Sequence, residues 1–405
     1  MLLDLKEILE RLEKLYEIGI YNIPFYQNKI GDKSTFSSYE KFLTLPFSYK
    51  QEIRDSSVFD RTSTKISDIY GIFSSGGTTG NKTYYVFNKN DKHVHETFIK
   101  TFFTEMGVND SDLGGVFAPV DTGIMAHTMM WQFTTMVIGY INCPIPTPEN
   151  IMAYISSLPI TIIATRPSVV TAAVTDTRMA TIAQTSNVRI LALGGGILTE
   201  KRRKFLEEKW GAECYNLLGM SEVFGPLACE CKEKNGLHYL SEYLFVEIID
   251  PATKIPVPDG CIGVPVYTTL WDKGFPLLRY WSNDLAYIDF SPCKCGSNNP
   301  RIYVLGRLDD CYIISNRYVL PKDIEEVLFT YEFYGEFFII TNDNKIELYV
   351  ESDKKEIDLN LIDKLTNMFE KKVEIIVVPP SSLHYDGHAK RIITKDEFES
   401  LGLNL

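Results

Sequence analysis

The sequence predicts an α/β protein, with a large N-terminal domain of mixed sheets and helices plus a β-rich subdomain, and a small α+β C-terminal domain. Three changes of rhythm along the 405 residues carry that expectation. From about 71 to 215, short apolar runs alternate with helical stretches. From 239 to 305, strand patterns dominate, punctuated by Pro, Gly and Asp. From Arg307 onward, a self-contained series of strands and helices begins. The division is therefore 1–306 and 307–405, and each part is long enough to enclose its own core.

Taken in order, residues 1–18 read as an amphipathic helix with Leu5, Ile8, Leu9, Leu12 and Leu15 on one face. Charges throughout this stretch argue against a signal peptide. The rest of 1–70 reads as helical, with loops at Asn22–Pro24 and Leu45–Pro46. Strand-like runs follow at Tyr84–Phe87, Gly115–Pro119, Thr161–Ala164 and Ile190–Leu193, as expected of a largely parallel sheet. The β-rich stretch offers Tyr243–Ile249, Gly263–Thr269, Leu285–Phe290 and Arg301–Val304. The tail reads strand 311–315, helix 321–328, strands 336–341 and 345–352, helix 358–369 and strand 373–378.

Composition excludes some functions. With 41 Lys+Arg against 53 Asp+Glu, the net charge is −12. Such a chain lacks the clustered cations that nucleic acid or an anionic membrane surface requires, so any phosphate must be held locally. The apolar stretch between Asp121 and Arg166 has Glu149 as its sole formal charge, but Gly123, Gln132, Gly139, Pro144, Pro146 and Pro148 interrupt it. No membrane span is expected there, and the reading is a soluble, cytoplasmic protein. Of eight cysteines, Cys143, Cys214, Cys261 and Cys311 are expected as buried small hydrophobes. The pairs Cys229/Cys231 and Cys293/Cys295 point to metal rather than disulfides. His93, His95 and His384 read as surface residues.

Several segments carry chemistry, each with a plainer alternative. Ser74–Lys82 contains Ser75, Gly76, Gly77, Thr78, Thr79 and Gly80 between two strand patterns. It is either a donor-rich phosphate loop or an exposed Ser/Gly turn; its spacing is not that of a Walker loop. Gly194–Gly196 ends a strand before a charged helix starting near Thr199, where glycine permits a close approach or merely a turn. Asn216 to Glu222 brings an amide, Gly219, Met220, the Ser221 hydroxyl and a carboxylate together. Glu222 suits Mg²⁺, unless Ser221 caps a helix and Glu222 sits in its first turn. Asp284 closes the apolar segment from Phe275, as a ribose acceptor or a turn residue. His127 lies beside Met125, Met129, Met130 and Trp131, as a pocket wall or a core histidine.

In this order the segments resemble the adenylate-forming enzymes, most closely the phenylacetate–coenzyme A ligase branch, across about residues 20–395. Ile23–Tyr26 and Leu45–Lys50 match its opening segments, and 74–80 its phosphate loop, with Gly76 where a second serine is usual. Gly194–Gly196 and Asn216–Glu222 resemble its adenine and Mg²⁺ segments, with Leu218 in place of a tyrosine. Leu277–Asp284 resembles its ribose segment, and Gly306–Asp310 with Pro321, Ile324 and Glu325 resembles its hinge and first C-terminal helix.

The resemblance implies an AMP-forming ligase that activates an aromatic or other apolar carboxylic acid and passes it to a thiol, coenzyme A first. ATP would contact Ser75–Gly80, Gly195, Gly196, Asn216, Ser221, Asp284 and Arg307; the acid would meet His127, Gly219 and Met220; Glu222 would hold Mg²⁺; and 307–405 would rotate about Asp309 as a mobile cap. Cys231, His238, Cys293 and Cys295 then match a closed tetrahedral Zn²⁺ site, against the plainer reading of free thiols. Cys231 fits the branch better than Cys229, which is left as a buried neighbour or alternative ligand.

Two departures stand out. His388 occupies the place of the family's catalytic lysine, with Lys390 two residues on, either taking over the role or lying on the surface. Asn316 replaces a glycine that lets the pantetheine arm pass. A carrier protein or an amine therefore remains open as acceptor, as does a non-catalytic nucleotide-binding relative. The oligomeric state is open too, a homodimer included.

Overall fold

The computed structural model describes residues 4–400 except 19, 31, 76–81, 119–123, 224, 316, 355, 381 and 384–389. The expected α/β class is observed, and the chain divides into two compact units, 1–144 with 215–304, and 145–214 with 305–405.

In the first unit, the helix Leu5–Ile18 buries Ile8, Leu12 and Leu15, while Leu5 remains 45% exposed because it precedes the first packed turn. Pro24 opens a short helix, Pro24–Gln27, where a loop was expected; proline at the first helical position forfeits no bond. Strands Ile69–Ser74 and Tyr84–Asn88 form an antiparallel hairpin. The helix Lys89–Glu105 follows, capped reciprocally by Asn88 and Asp91. It buries Val94, His95, Phe98, Ile99, Phe102 and Phe103. His95 is thus a core residue and not a surface one: its position continues the helix's apolar stripe, and its ring stacks on Trp131 at 4.5 Å. Leu113–Phe117 and Gly139–Cys143 pair in parallel, with the helix Ile124–Thr135 between them in sequence.

The β-rich part is antiparallel: Glu213–Met220 with Gly225–Glu230, that strand with Leu237–Tyr239, and Leu237–Tyr239 with Arg301–Arg307. A second sheet joins Leu244–Ile249, Val264–Thr269 and Tyr280–Trp281. Arg279 locks the opening segment onto it. Its side chain is buried, paired with Glu247 at 3.0 and 3.1 Å, and donates to the carbonyls of Leu43 and Leu45. Ser48 also bridges this segment, donating its backbone N–H to Arg279 and accepting from Trp281.

In the second unit, Ile162–Thr165 and Ile190–Gly194 pair in parallel. A four-stranded sheet runs in the order Lys372–Val378, Lys345–Glu351, Phe337–Thr341, Ile392–Thr394. Helices Pro321–Thr330 and Leu359–Phe369 bury Ile324, Val327, Leu328, Leu361 and Leu365 in its core. The helix Glu200–Trp210, starting where expected and capped by Thr199, meets this core through Phe205, stacked on Tyr334 at 4.1 Å. Beside it, Arg202 and Glu325 approach to 3.0 Å with both side chains at most 2% exposed. They lack hydrogen-bond alignment, so charge holds the pair. Burial pushes the Glu325 carboxyl above its ordinary range, with Arg202 opposing. Arg202→Met is expected to lower unfolding free energy by about 3–5 kcal/mol, because it strands a buried carboxylate. Adding Glu325→Met is expected to recover most of that loss in the same denaturant titration.

Among the lone cysteines, Cys143 and Cys214 are buried as expected and Cys311 is half-buried. Cys261 is exposed: it follows the Pro258–Gly260 turn, outside the strand that begins at Val264.

Candidate functional site

Glu222 lies in the turn 221–223 that joins Glu213–Met220 to Gly225–Glu230, so no helix starts at Ser221. The carboxylate is 4% exposed. Tyr85 and Tyr280 donate their hydroxyls to Oε1 at 3.0 and 3.1 Å, and the Lys50 ammonium stands 3.8 Å from the same oxygen. Each partner comes from a different element: Tyr85 from the hairpin after the Ser/Gly loop, Tyr280 from the ribose-like segment, and Lys50 from the opening segment. Burial, and then the Glu222 charge, push both tyrosines well above the ordinary phenol range, so they stay protonated donors. Oε2 accepts no hydrogen bond among the described residues. One committed oxygen and one available oxygen fit a hard cation that takes few carboxylates and completes its shell with phosphate oxygens.

A second layer of charge lies behind. Asp91, buried, accepts from the Trp271 indole at 2.8 Å and from Gly274 N–H at 2.9 Å. A Cβ on Gly274 would come within 2.6 Å of the Val86 carbonyl, so only glycine fits. Lys273 is fully buried over the Phe87 ring at 4.6 Å; desolvation pulls its ammonium down to about 8, with Asp91 and Glu222 opposing. Because the folded value lies below the ordinary lysine value near 10.5, the contribution is favourable above that value and is lost as pH falls through about 8. Lys273→Met is expected to gain stability relative to the parent at pH 7 and to lose that advantage by about pH 10, read from paired denaturant titrations.

The remaining predicted residues fall as follows. Ser75 is buried and donates its backbone N–H to the Thr83 carbonyl at 2.9 Å; Gly76, Gly77, Thr78, Thr79 and Gly80 lie outside the described residues. Asn216 donates its N–H to Glu230 at 2.7 Å, Gly219 is exposed and Met220 half-buried on the same strand. Asp284 is half-buried at the start of its strand and donates its N–H to the Ser282 hydroxyl at 3.1 Å. His127 is half-buried against Phe73. In the second unit, Gly195 takes φ +71°, where glycine is unstrained. Gly196 is exposed, Arg307 pairs with Asp309 at 3.2 Å on the surface, and Lys390 pairs with Glu397 at 2.9 Å. His388 and Asn316 lie outside the described residues, as does His384.

Cys231, His238, Cys293 and Cys295 bring their ligand atoms within 4.8 Å of one another. Cys231 and Cys293 sulfurs are 3.8 Å apart, and His238 Nε2 is 3.5 Å from Cys295 Sγ. His238 Nδ1 is 2.8 Å from the Asn299 carbonyl, a contact that orients the ring with Nε2 inward. The donor set fits tetrahedral Zn²⁺. Cys229, fully buried two residues earlier, turns its sulfur to the Glu230 carbonyl and is not in the group.

Sequence reasoning passed over Tyr85, Tyr280, Lys50 and Lys273 as actors. Lys50 and Tyr280 lie inside the segments Leu45–Lys50 and Leu277–Asp284, and a polar-tipped side chain in an otherwise apolar run was the available signal.

The model of the family described as AMP-binding enzyme matches residues 24–266, more than half of the chain. The chain belongs to the AMP-binding enzyme family. Among curated relatives of this AMP-binding enzyme, the phenylacetate-coenzyme A ligase of Thermus thermophilus is 28% identical over 329 residues, 79% of this chain and 74% of that protein. The phenylacetate-coenzyme A ligase of Escherichia coli (strain K12) is 25% identical, over 80% of this chain and 75% of that protein. Among solved structures, 2-hydroxyisobutyryl-CoA ligase in complex with 2-HIB-AMP superposes with a TM-score of 0.83 at 20% identity, covering 98% of this chain and 91% of that one. The anthranilate CoA ligase in complex with anthranoyl-AMP gives 0.63 at 15%, covering 82% and 66%. These structural likenesses establish a shared fold. No described helix is long and apolar enough to cross a membrane.

Proposed function

We propose that this enzyme adenylates an aromatic or other apolar carboxylic acid with ATP and transfers the acyl group to coenzyme A. The observation that carries the reading is buried Glu222, held by two tyrosine hydroxyls in a chain of the AMP-binding family. The curated relatives named above are phenylacetate-coenzyme A ligases, which puts aryl acids first.

In the first step the acid's carboxylate oxygen bonds to the α-phosphorus, the bond from that phosphorus to the bridging oxygen breaks, and pyrophosphate leaves. In the second, the coenzyme A thiolate bonds to the acyl carbon and AMP leaves. Ser75–Gly80 would supply amide and hydroxyl donors to the triphosphate, Asn216 and Ser221 would flank it, Asp284 would accept from ribose hydroxyls, and Gly195 and Gly196 would let the adenine approach. Gly219 and Met220 would border the acid. Tyr85 and Tyr280 fix Glu222 before the nucleotide arrives, so no reorganisation is needed at that carboxylate during reaction. Mg²⁺ at Glu222 would neutralise triphosphate charge. Zn²⁺ on Cys231, His238, Cys293 and Cys295 would staple two hairpin loops with no open position for substrate.

Residues 307–405 act in this reading as a cap turning about Asp309, with Arg307 and Lys390 as its cations. Lys390→Ala is expected to slow adenylation about 10–100-fold while sparing transfer from preformed acyl-AMP to coenzyme A; equal rates in both assays would return Lys390 to the surface. The free thiols fit a reducing compartment, the cytoplasm. The test of the whole reading is mass-spectrometric detection of acyl-CoA from ATP, coenzyme A and a panel of aryl and alkyl acids. A thioester from at least one acid supports it; adenylate formation without any thioester would instead point to a carrier-protein or amine acceptor.

A further inference from the structure

His127 carries a buried Nε2 with no hydrogen-bond partner among the described residues. Its ring lies 4.6 Å from that of Phe73 and 6.1 Å from that of Trp131, between centroids. Trp131 in turn stacks on Tyr70 at 5.0 Å and on His95 at 4.5 Å. The result is an aromatic wall into which His127 brings a buried polar atom with no partner among the described residues, and folded interiors seldom leave such an atom bare without a use for it. Burial holds the imidazole below its ordinary pKa, so the ring is neutral near pH 7.

The wall adjoins the Glu222 site on two sides. Phe73 is the register partner of Tyr85, whose hydroxyl bonds Glu222, and it lies one residue before the strand ends at Ser74. Gly225, three residues beyond Glu222, packs so closely on His95 that a Cβ there would come within 2.7 Å of the imidazole and 3.4 Å of Thr128. Strand and turn therefore tie the aromatic wall directly to the carboxylate.

We propose that His127 is a specificity-determining residue whose Nε2 hydrogen-bonds a hydroxyl on the acid, so that hydroxylated aryl acids are the preferred substrate class. The inference rests on the adenylation reading above. Aromatic faces such as Phe73 and Trp131 favour a ring. A hydroxyl, which both donates and accepts, satisfies Nε2 in either neutral tautomer, whereas a bare ring leaves it unpaired.

The test is kcat/KM for acid-dependent pyrophosphate release with phenylacetate, its ring-hydroxylated isomers and the matching methyl analogues. The parent is expected to favour at least one hydroxylated isomer over phenylacetate by about 10–100-fold. His127→Phe is expected to abolish that ratio, His127→Gln to retain part of it, and the exposed control His93→Ala to leave it unchanged. Binding of the hydroxylated acid is also expected to shift the His127 ring nitrogen resonance, which a purely structural histidine would not show. Equal kcat/KM for hydroxylated and unsubstituted acids in the parent, or a ratio that survives His127→Phe, overturns the inference and leaves adenylation standing. Pyrophosphate release with none of the acids overturns both.

Discussion

Glu222→Gln is expected to reduce acid-dependent ATP–pyrophosphate exchange by about 10²–10³-fold, the scale on which one preorganised electrostatic group acts. The substitution is nearly isosteric. Its amide oxygen still accepts from Tyr85 and Tyr280, now at 3.0 and 3.1 Å from the carboxylate, so the turn is expected to stay folded. What disappears is the negative charge and, with it, the affinity for a hard cation. Tyr85→Phe makes the complementary change: the charge remains but loses one of its two fixed donors, and exchange is expected to fall only about tenfold. Unchanged thermal midpoints for both variants would assign the losses to chemistry. If both variants lost activity in proportion to stability, the site would be structural.

The second large effect is expected at the cysteine cluster. One zinc per chain is expected by elemental analysis, and Cys293→Ser is expected to lose it. Structural zinc contributes on the order of 10 kcal/mol when its binding is coupled to folding, so the thermal midpoint of Cys293→Ser is expected to fall by about 10 °C or more. Cys229→Ala is the discriminating partner. Its sulfur faces the Glu230 carbonyl rather than the group within 4.8 Å, so it is expected to keep the zinc and to lose only buried volume. A metal-free parent of unchanged stability would leave these residues as reduced thiols.

Much of this was legible in the sequence, and the parts that were not share a cause. Strand and helix rhythm located the parallel pair Ile162–Thr165 and Ile190–Gly194, the β-rich stretch and the tail, because apolar periodicity reports directly on the face a segment buries; Tyr84–Phe87, grouped with the parallel runs, instead belongs to an antiparallel hairpin. The strands Arg317–Val319 and Ile392–Thr394 were missed: three residues are too few to show a period. His95 was misplaced because a histidine in a polar-looking stretch reads as exposed until the neighbouring phenylalanines are put on the same helical face. The candidate ligands of the cysteine cluster were named from two tight pairs, with Cys231 preferred to Cys229 by the family resemblance; strand alternation alone would put the two on one side, and they part because the strand ends at Glu230, before Cys231. Glu222 could be nominated from its motif. Its partners Tyr85 and Lys50, separated from it by 137 residues and by more than that, respectively, belong to a tertiary arrangement that no local pattern encodes.

The most direct measurement of the central claim is ATP–pyrophosphate exchange by the purified parent with a panel of aryl and alkyl acids, run beside Glu222→Gln. The predicted result is exchange that depends on both the acid and Mg²⁺ and falls by at least about 10²-fold in the variant. Exchange with no acid in the panel, or equal exchange in parent and variant, would contradict it.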